Sequence, residues 1–302
     1  MIYEKENFKL IDHERPVISY KHTSGELVGY RLSAKLFNNF ARKQKNKTST
    51  TADKEDSEEA SKIKSFLQDC KLKNLFENYS NDIADKLKSD NNDLMNEFYK
   101  LSCDFKEFHG ENNFEHGVVT TINNSSYLIP ARCRFFNKNV SEIEKMLGHS
   151  EKFDFIVIDP PWKCRYIRRL KKTCSEKSYK MMTNEEISRL PIQKYAHKST
   201  IVAIWCTNSE THENFIKEHM LREWDLKLTT FWQWIKVDKT GEMFCSFDSS
   251  RGSKKPYEKL FIAVNTENEN LEKLIPKGIS IVSQPSSIHS HKPPLLGDGF
   301  NP

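Results

Sequence analysis

The amino-acid sequence predicts an α/β fold with a doubly wound, mostly parallel sheet. An apolar run at residues 153–158 is typical of a buried strand, because polar alternation is almost absent from it. After residue 183, strand-like apolar runs alternate with helical patterns, which is the signature of β–α–β units. Pro160 and Pro161 cannot extend a ladder, so the first strand must end at Asp159. Asp159 is therefore expected at the carboxyl edge of the sheet, where open α/β sheets bind ligands.

The other elements follow from apolar periodicity and turn residues. Residues 117–122 and 127–130 are predicted to pair as a hairpin, and Thr183 with Glu186 is predicted to form a capping box that starts a short helix. A further helix is predicted at residues 209–221. The remaining predicted strands are residues 200–206, 227–235, 258–264 and 279–283.

The chain before this domain divides by composition. Residues 42–60 lack apolar periodicity and are predicted to be a flexible linker, whose basic cluster is either a solvated charge run or an import or nucleic-acid signal. Residues 61–111 carry two amphipathic helical stripes. The predicted organisation is an N-terminal accessory segment (1–41), the linker (42–60), a helical accessory region (61–111) and the main domain (112–302).

Composition excludes several classes of protein. The chain has 302 residues, 37% of them hydrophobic and 29% charged, with a net charge of +5. It has no apolar run of 18 residues, so neither a transmembrane helix nor a membrane partner is expected. Seven cysteines without a Cys-x-x-Cys pattern argue against a disulfide framework or a zinc site. A reducing compartment, the nucleus or the cytosol, is predicted.

An acid followed by two prolines and an aromatic ring suits chemistry on an exocyclic amine. In adenine, the lone pair of this amine is delocalised into the ring. Two hydrogen-bond acceptors aimed at the N–H groups of the amine can favour a tetrahedral nitrogen and free the lone pair. The Asp159 carboxylate and the Pro160 carbonyl are those acceptors, held in place by the rigid turn that Pro161 completes. Trp162 can stack on the base, a contact worth about 1–3 kcal/mol. The alternative is a rigid turn after a strand, with Trp162 in the core.

This tetrapeptide, Asp159-Pro160-Pro161-Trp162, resembles the motif of the DPPW-type adenine-N6 methyltransferases that act on RNA and DNA. Further matching segments lie at residues 127–130, 232–236, 255–258 and 289–294. Together these segments look more like the methyltransferase-like protein four branch than the messenger-RNA methyltransferase subunits. The resemblance extends over roughly residues 112–296. The resemblance implies a Rossmann-like methyltransferase fold, S-adenosylmethionine as cofactor, nucleic acid as partner and a nuclear location.

The resemblance also implies roles for individual residues. Lys292 is expected to bind the carboxylate of S-adenosylmethionine as a point charge. The predicted cofactor-binding residues are Ile129, Pro130, Asp159, His291 and Lys292. The predicted substrate-binding residues are Trp162, Tyr179, Lys255, Glu258, His289, Arg165, Arg168 and Arg169. The three arginines suit phosphate contacts, and the alternative for them is a solvated loop.

Three functions remain open from the sequence. The first is methylation of 2′-O-methyladenosine in a small nuclear RNA of the U2 type, and the second is methylation of DNA adenine. The third is a catalytically silent homologue that binds nucleic acid. A metal site is not expected, because His289 and His291 have no third ligand type nearby.

The sequence departs from the family after the Lys-Pro-Pro segment at residues 292–294. Family members continue there with a helix, a strand and a segment that holds the ribose and adenine of the methyl donor. A central part of the cofactor pocket is therefore expected to be missing from these 302 residues, and the sheet is expected to expose an edge strand.

Overall fold

A computed structural model gives the fold of the chain. It describes residues 2–12, 18–21, 27–30, 33–40, 58–79, 81–101, 107–122, 125–148, 150–163, 180–245, 255–266, 268–288 and 291–295. The strands in these ranges are β1 (Tyr3–Lys5), β2 (Phe8–Leu10), β3 (Ile18–Lys21), β4 (Leu27–Tyr30), β5 (Phe108–Asn112), β6 (Val118–Ile122), β7 (Ser125–Ile129), β8 (Cys133–Asn137), β9 (Phe153–Ile158), β10 (Ala196–Cys206), β11 (Leu226–Lys236), β12 (Tyr257–Asn265) and β13 (Ser280–Ser283).

The helices lie between these strands. They are α1 (Glu58–Leu72), α2 (Asn81–Leu101), α3 (Ile143–Leu147), α4 (Asn184–Ser188), α5 (Ile192–Tyr195), α6 (Glu210–Phe215), α7 (Leu221–Glu223) and α8 (Glu269–Leu274). A π-helical turn, Ile216–Met220, joins α6 to α7 without a break, and 3₁₀ turns occupy Ala34–Phe37 and Val140–Glu142.

Seven strands form one mixed sheet in the order β1-β2-β13-β11-β12-β10-β9. The pairs β9–β10, β11–β13 and β13–β2 are parallel, whereas β12 is antiparallel to both β10 and β11, and β1 is antiparallel to β2. The predicted α/β class with a doubly wound sheet is confirmed. Three of the six pairings are antiparallel. Two of these involve β12, which follows β11 without a described helix between them, and a direct return of the chain gives an antiparallel pair.

Both faces of this sheet are covered, which places the core on either side of β10. Val202, Ile204 and Cys206 point to one face and pack with residues of α4 and of the helix that starts at Glu210. Ala203 and Trp205 point to the other face, where Ile275 and Leu271 cover them. This period-two alternation is what a central strand requires, since successive side chains point to opposite sides.

The N-terminal residues belong to the central sheet, which corrects the predicted division. β2 pairs in parallel with β13, and α1 packs on this end of the sheet through Ile63 and Phe66. Residues 3–10, which the prediction placed in an accessory segment (1–41), therefore belong to the central sheet, and α1 begins inside the predicted linker of residues 42–60. A strand of three residues carries too little periodicity to reveal a partner that is 272 residues away in sequence.

The predicted boundary at residue 112 also falls in the wrong place. Asn112 is the last residue of β5, which pairs with β8 and thus lies on the same side of any boundary. Other local predictions are confirmed: β6 and β7 form the expected hairpin, and Thr183 and Glu186 form the capping box of α4. In the described ranges, none of the helices combines the length and the apolar character needed to cross a membrane.

Candidate active site

The site is assembled at one edge of the central sheet. β9, β10 and β11 end at this edge, and β12 starts there because it runs in the opposite direction. Asp159 follows the last residue of β9, Lys236 is the last residue of β11, and Glu258 is the second residue of β12. The strand directions alone therefore bring one ammonium group and two carboxylates together, as expected for the ligand-binding edge of an α/β sheet.

Lys292 completes a charge cluster formed by Asp159, Glu258, Lys236 and Lys292. Its Nζ lies 3.2 Å from Asp159 Oδ2 and 3.4 Å from Glu258 Oε2. The Oε1 atom of Glu258 accepts a hydrogen bond from Lys236. Positive and negative groups thus alternate in the order Lys236, Glu258, Lys292 and Asp159.

The members of the charge cluster differ in burial, which decides their charge states. The side chain of Asp159 is 38% exposed, whereas those of Glu258 and Lys292 are each 18% exposed. Burial raises the pKa of the Asp159 carboxyl above its ordinary value, and Lys292 offsets this only in part. Burial also raises the pKa of Glu258, but Lys236 and Lys292 outweigh it and hold this pKa below the ordinary value. Glu258 is thus the fixed anion, and Asp159 is the carboxylate open to a ligand.

Two tryptophans lie beneath the lysines. Lys236 Nζ is 4.4 Å from the ring centroid of Trp234, and Lys292 Nζ is 5.9 Å from that of Trp205. The two rings meet edge to face at 5.9 Å, and the Trp234 indole N–H donates to Ser283 Oγ at 2.8 Å. Because cations are attracted to the faces of aromatic rings, this floor restricts where the ammonium groups can lie.

Trp162 does not face the site, so the prediction that it stacks on a base is wrong in this structure. Its side chain is 2% exposed and packs in the core with Ile187 and Met220. Its indole N–H donates to the carbonyl of Trp205 at 2.8 Å, and its ring lies 4.8 Å from that of His212. The alternative interpretation, a rigid turn with a core tryptophan, describes this residue.

The loop after β9 is fixed by its own backbone. The N–H of Trp162 donates to the Pro160 carbonyl at 2.8 Å, which is the bond of a tight three-residue turn. The Pro161 carbonyl accepts from the N–H of Met182 at 2.9 Å. The Pro160 carbonyl therefore already has one donor and keeps one lone pair for a ligand.

His291 precedes Lys292 and helps to fix the loop that carries it. Its Nδ1 lies 3.0 Å from Ser286 Oγ, and its N–H donates to the Ile288 carbonyl at 3.0 Å. Burial lowers the pKa of His291, which favours the neutral ring at neutral pH. Its predicted contact with the cofactor stays a prediction.

The remaining predicted residues are scattered or lie outside the described part. Ile129 ends β7, and the Pro130 carbonyl accepts from the Asn112 side chain at 2.8 Å, so these contacts lie within the β5–β8 region. Lys255 Nζ lies 5.7 Å from the ring centroid of Tyr257, the residue before Glu258. Their binding roles stay predictions. Tyr179, His289, Arg165, Arg168 and Arg169 lie outside the described residues.

The sequence did not reveal two polar residues of this edge. Lys236 ends the aromatic strand that carried part of the resemblance, and only the fold shows that it contacts Glu258. Asn208 follows the end of β10 and donates to the Tyr257 carbonyl, while its Oδ1 is buried without a hydrogen-bond partner among the described residues. Its position just past a buried strand was the available signal.

Comparison with known proteins supports the resemblance. Residues 153–298 match the MT-A70 family. The human N(6)-adenine-specific methyltransferase METTL4 is 34% identical over 193 residues, which cover 61% of this chain and 39% of the human protein. A DNA N6-methyl methyltransferase of Caenorhabditis elegans is 28% identical over 185 residues, covering 60% of this chain and 47% of that protein.

A third relative is named for RNA. The N6-methyladenosine RNA methyltransferase MTA1 of Pyricularia oryzae is 30% identical over 185 residues, covering 58% of this chain and 47% of the fungal protein. The chain therefore spans less than half the length of these relatives. Both nucleic acids appear among the names, so similarity by itself does not choose between them.

Proposed function

We propose that this chain, whose residues 153–298 match the MT-A70 family, transfers a methyl group from S-adenosylmethionine to N6 of adenine in nucleic acid. The observation that carries this proposal is the charge cluster at the carboxyl edge of the sheet. Within it, Asp159 is the more exposed carboxylate, and Lys292 lies 3.2 Å away. A substrate amine and the carboxylate of a methyl donor need this pair of an acceptor and a cation.

Asp159 is proposed to accept a hydrogen bond from the exocyclic amine. Its carboxylate lies past the end of β9, and the second free acceptor nearby is the remaining lone pair of Pro160. Two fixed acceptors favour the pyramidal nitrogen whose lone pair is free to react, and they need no reorganisation during the reaction. Trp162 holds this loop from below through its bond to Trp205.

Lys292 fits the carboxylate of S-adenosylmethionine, which when bound supplies a methyl group on a cationic sulfur. The side chain of Lys292 is 18% exposed, and its ammonium is already shared between Asp159 and Glu258. A third carboxylate from the donor would leave Asp159 with less of this ammonium and free it for the amine. Asn208 Oδ1 is a buried acceptor without a hydrogen-bond partner among the described residues, and it is a further candidate contact for the methyl donor at this edge of the sheet.

The proposed substrate is RNA, with 2′-O-methyladenosine in a small nuclear RNA of the U2 type as the preferred target and the nucleus as the location. The resemblance to the methyltransferase-like protein four branch supports this choice. DNA adenine is the second candidate, because a relative of similar coverage is named for DNA. Arg165, Arg168, Arg169, Lys255 and His289 are proposed to contact the nucleic acid, with Tyr179 at the base.

A substrate panel tests the proposal. The purified chain is incubated with S-adenosylmethionine carrying a deuterated methyl group and with matched RNA and DNA oligonucleotides, one RNA carrying 2′-O-methyladenosine. Mass spectrometry of the nucleosides should show deuterated N6-methyl groups, most abundantly on 2′-O-methyladenosine. Label on DNA alone would favour the second candidate. Binding of the oligonucleotides without any transfer and without heat on titration with S-adenosylmethionine would identify a silent homologue.

A further inference from the structure

The segment that presents Lys292 lies in no described helix or strand. After β13 the chain runs through residues 284–288 and returns to the site at His291 and Lys292. Its described anchors include a backbone bond from the N–H of Ser287 to the Leu36 carbonyl at 2.8 Å. Leu36 belongs to the 3₁₀ turn Ala34–Phe37, so residues far from the site in sequence hold this segment.

Three side chains reinforce this anchor, and we call Asn39, Asn91 and Ser287 the asparagine clamp. The Asn91 Nδ2 group donates to Ser287 Oγ at 2.7 Å and to Asn39 Oδ1 at 3.1 Å. Ser287 Oγ donates to Asn39 Oδ1 at 2.9 Å, and Asn39 Nδ2 donates to the Pro285 carbonyl at 3.2 Å. The clamp thus joins α2 and the N-terminal turn, by which we mean the 3₁₀ turn Ala34–Phe37 and Asn39 after it, to the segment before Lys292.

Asn91 is the buried member of the clamp and lies near apolar side chains, whereas Asn39 and Ser287 are half-buried. Asn91 is 2% exposed, and the neighbouring core consists of Leu36, Phe37 and Ile288, with Leu94 and Met95 of α2 against it. Asn91 Oδ1 is buried without a hydrogen-bond partner among the described residues, which lowers stability. A polar network built on a buried group favours one geometry, because another arrangement would leave more polar atoms of Asn91 unpaired.

A short path leads from the clamp to the charge cluster. Ser286, next to Ser287, accepts the N–H of Ile288 and lies 3.0 Å from His291 Nδ1. His291 is followed by Lys292, whose Nζ bridges Asp159 and Glu258. Ser286 is 8% exposed, so this path runs through the interior.

We propose that the asparagine clamp positions Lys292 beside Asp159, so that α2 and the N-terminal turn, which lie outside the family match at residues 153–298, set the affinity for the carboxylate of the methyl donor. The three clamp residues are positioning residues, since they act through Lys292. The role of Lys292 toward the donor rests on the proposed function, whereas the placement of Lys292 does not.

The placement is tested without any ligand. Asn91→Leu removes the two hydrogen bonds that Asn91 donates and keeps the branched shape of the side chain. Asn92→Leu, on the exposed face of α2, adds the same bulk and is the matched control. Brief acylation of the folded chain, read by mass spectrometry for each lysine, should show several-fold more modification of Lys292 in Asn91→Leu than in the control. Modification of Lys236 should not change. Equal modification of Lys292 in the two variants, or a parallel rise at Lys236, would overturn the proposal.

The effect on the donor is tested with two ligands. S-adenosylhomocysteine carries the amino-acid carboxylate, and 5′-methylthioadenosine lacks it. Asn91→Leu and Ser287→Ala should weaken binding of S-adenosylhomocysteine several-fold and leave binding of 5′-methylthioadenosine unchanged. Ser287→Thr should bind S-adenosylhomocysteine as the unaltered chain does, because threonine keeps the hydroxyl group. Equal weakening of both ligands would show that the clamp does not act through Lys292. If the unaltered chain binds neither ligand while the acylation contrast holds, the proposed function fails and the placement stands.

Discussion

Asp159 and Trp162 stand three residues apart in one motif and lie in opposite environments. The Asp159 side chain is 38% exposed and belongs to a cluster of four charges, whereas Trp162 is 2% exposed and packs in the core. The two prolines between them reverse the chain, so the carboxylate stays at the sheet edge while the indole turns under it. Asp159 is thus placed where a ligand can reach it, whereas Trp162 is placed where it can hold the loop against the core.

Asp159→Ala is expected to have the largest effect on activity. Removing a preorganised group aimed at the reacting atoms lowers turnover by about 10²–10³-fold in comparable cases. The fold should survive, because burial raises the pKa of Asp159 and its ionised form is therefore unfavourable in the folded state at neutral pH. Turnover and the melting temperature are measured on the same preparation. A variant that unfolds would assign Asp159 to the core.

Trp162→Ala is expected to have the largest effect on stability. Replacing a buried tryptophan by alanine lowers the free energy of unfolding by about 3–5 kcal/mol, which a denaturant titration measures. Phe231→Ala is the control, because Phe231 is a half-exposed aromatic residue of the same sheet. This variant should lose less free energy of unfolding than Trp162→Ala. If Trp162→Ala keeps its stability but binds nucleic acid more weakly, the ring stacks on a base after all.

Lys236→Met should shift the pH dependence of methyl transfer. Lys236 lowers the pKa of Glu258 and, more weakly, that of Asp159. In the proposed mechanism, transfer requires ionised Asp159 and should be lost as the pH falls through the folded-state pKa of this carboxyl group. Without Lys236 that pKa is higher, so the loss should begin at higher pH. Lys227→Met, which removes a surface ion pair with Glu272, is the control. If methyl transfer is lost over the same acidic pH range in both variants, Lys236 does not influence the ionisation of Asp159.

His212 provides the smallest effect and probes the Trp162 half of the motif. It lies against the Trp162 ring, and burial lowers its pKa, which a bond to the Lys163 carbonyl opposes. A depressed pKa means that the unfolded chain binds the proton first, so His212 contributes stability above about pH 6.5 that is lost at lower pH. His212→Gln should reduce the fall in unfolding free energy between neutral and mildly acidic buffer. An unchanged slope would show that His212 does not titrate on unfolding.

Local signals predicted the parts of the fold that depend on neighbours in sequence. The run at residues 153–158 and the prolines after it placed Asp159 at the carboxyl edge, and Thr183 with Glu186 gave a helix start that the structure confirms. These features depend on one strand or one turn, where periodicity and backbone chemistry are sufficient.

Features that depend on distant residues were not predictable. β2 joins β13 across most of the chain, and three residues cannot specify that partner. The direction of Trp162 depends on the Trp205 carbonyl, and the role of Lys236 depends on the antiparallel entry of β12. An aromatic ring after a strand suits both stacking and packing, and only the fold decides between them.

Asp159 is proposed to bind the reacting amine, and Trp162 is proposed to hold the loop after β9 in place. The most direct test is turnover per folded molecule for Asp159→Asn and Trp162→Phe, each corrected by the folded fraction from a denaturant titration. Asp159→Asn should stay folded and lose nearly all turnover, while Trp162→Phe should lose stability and keep its turnover per folded molecule. A folded Asp159→Asn with normal turnover, or a folded Trp162→Phe without any, would contradict the account.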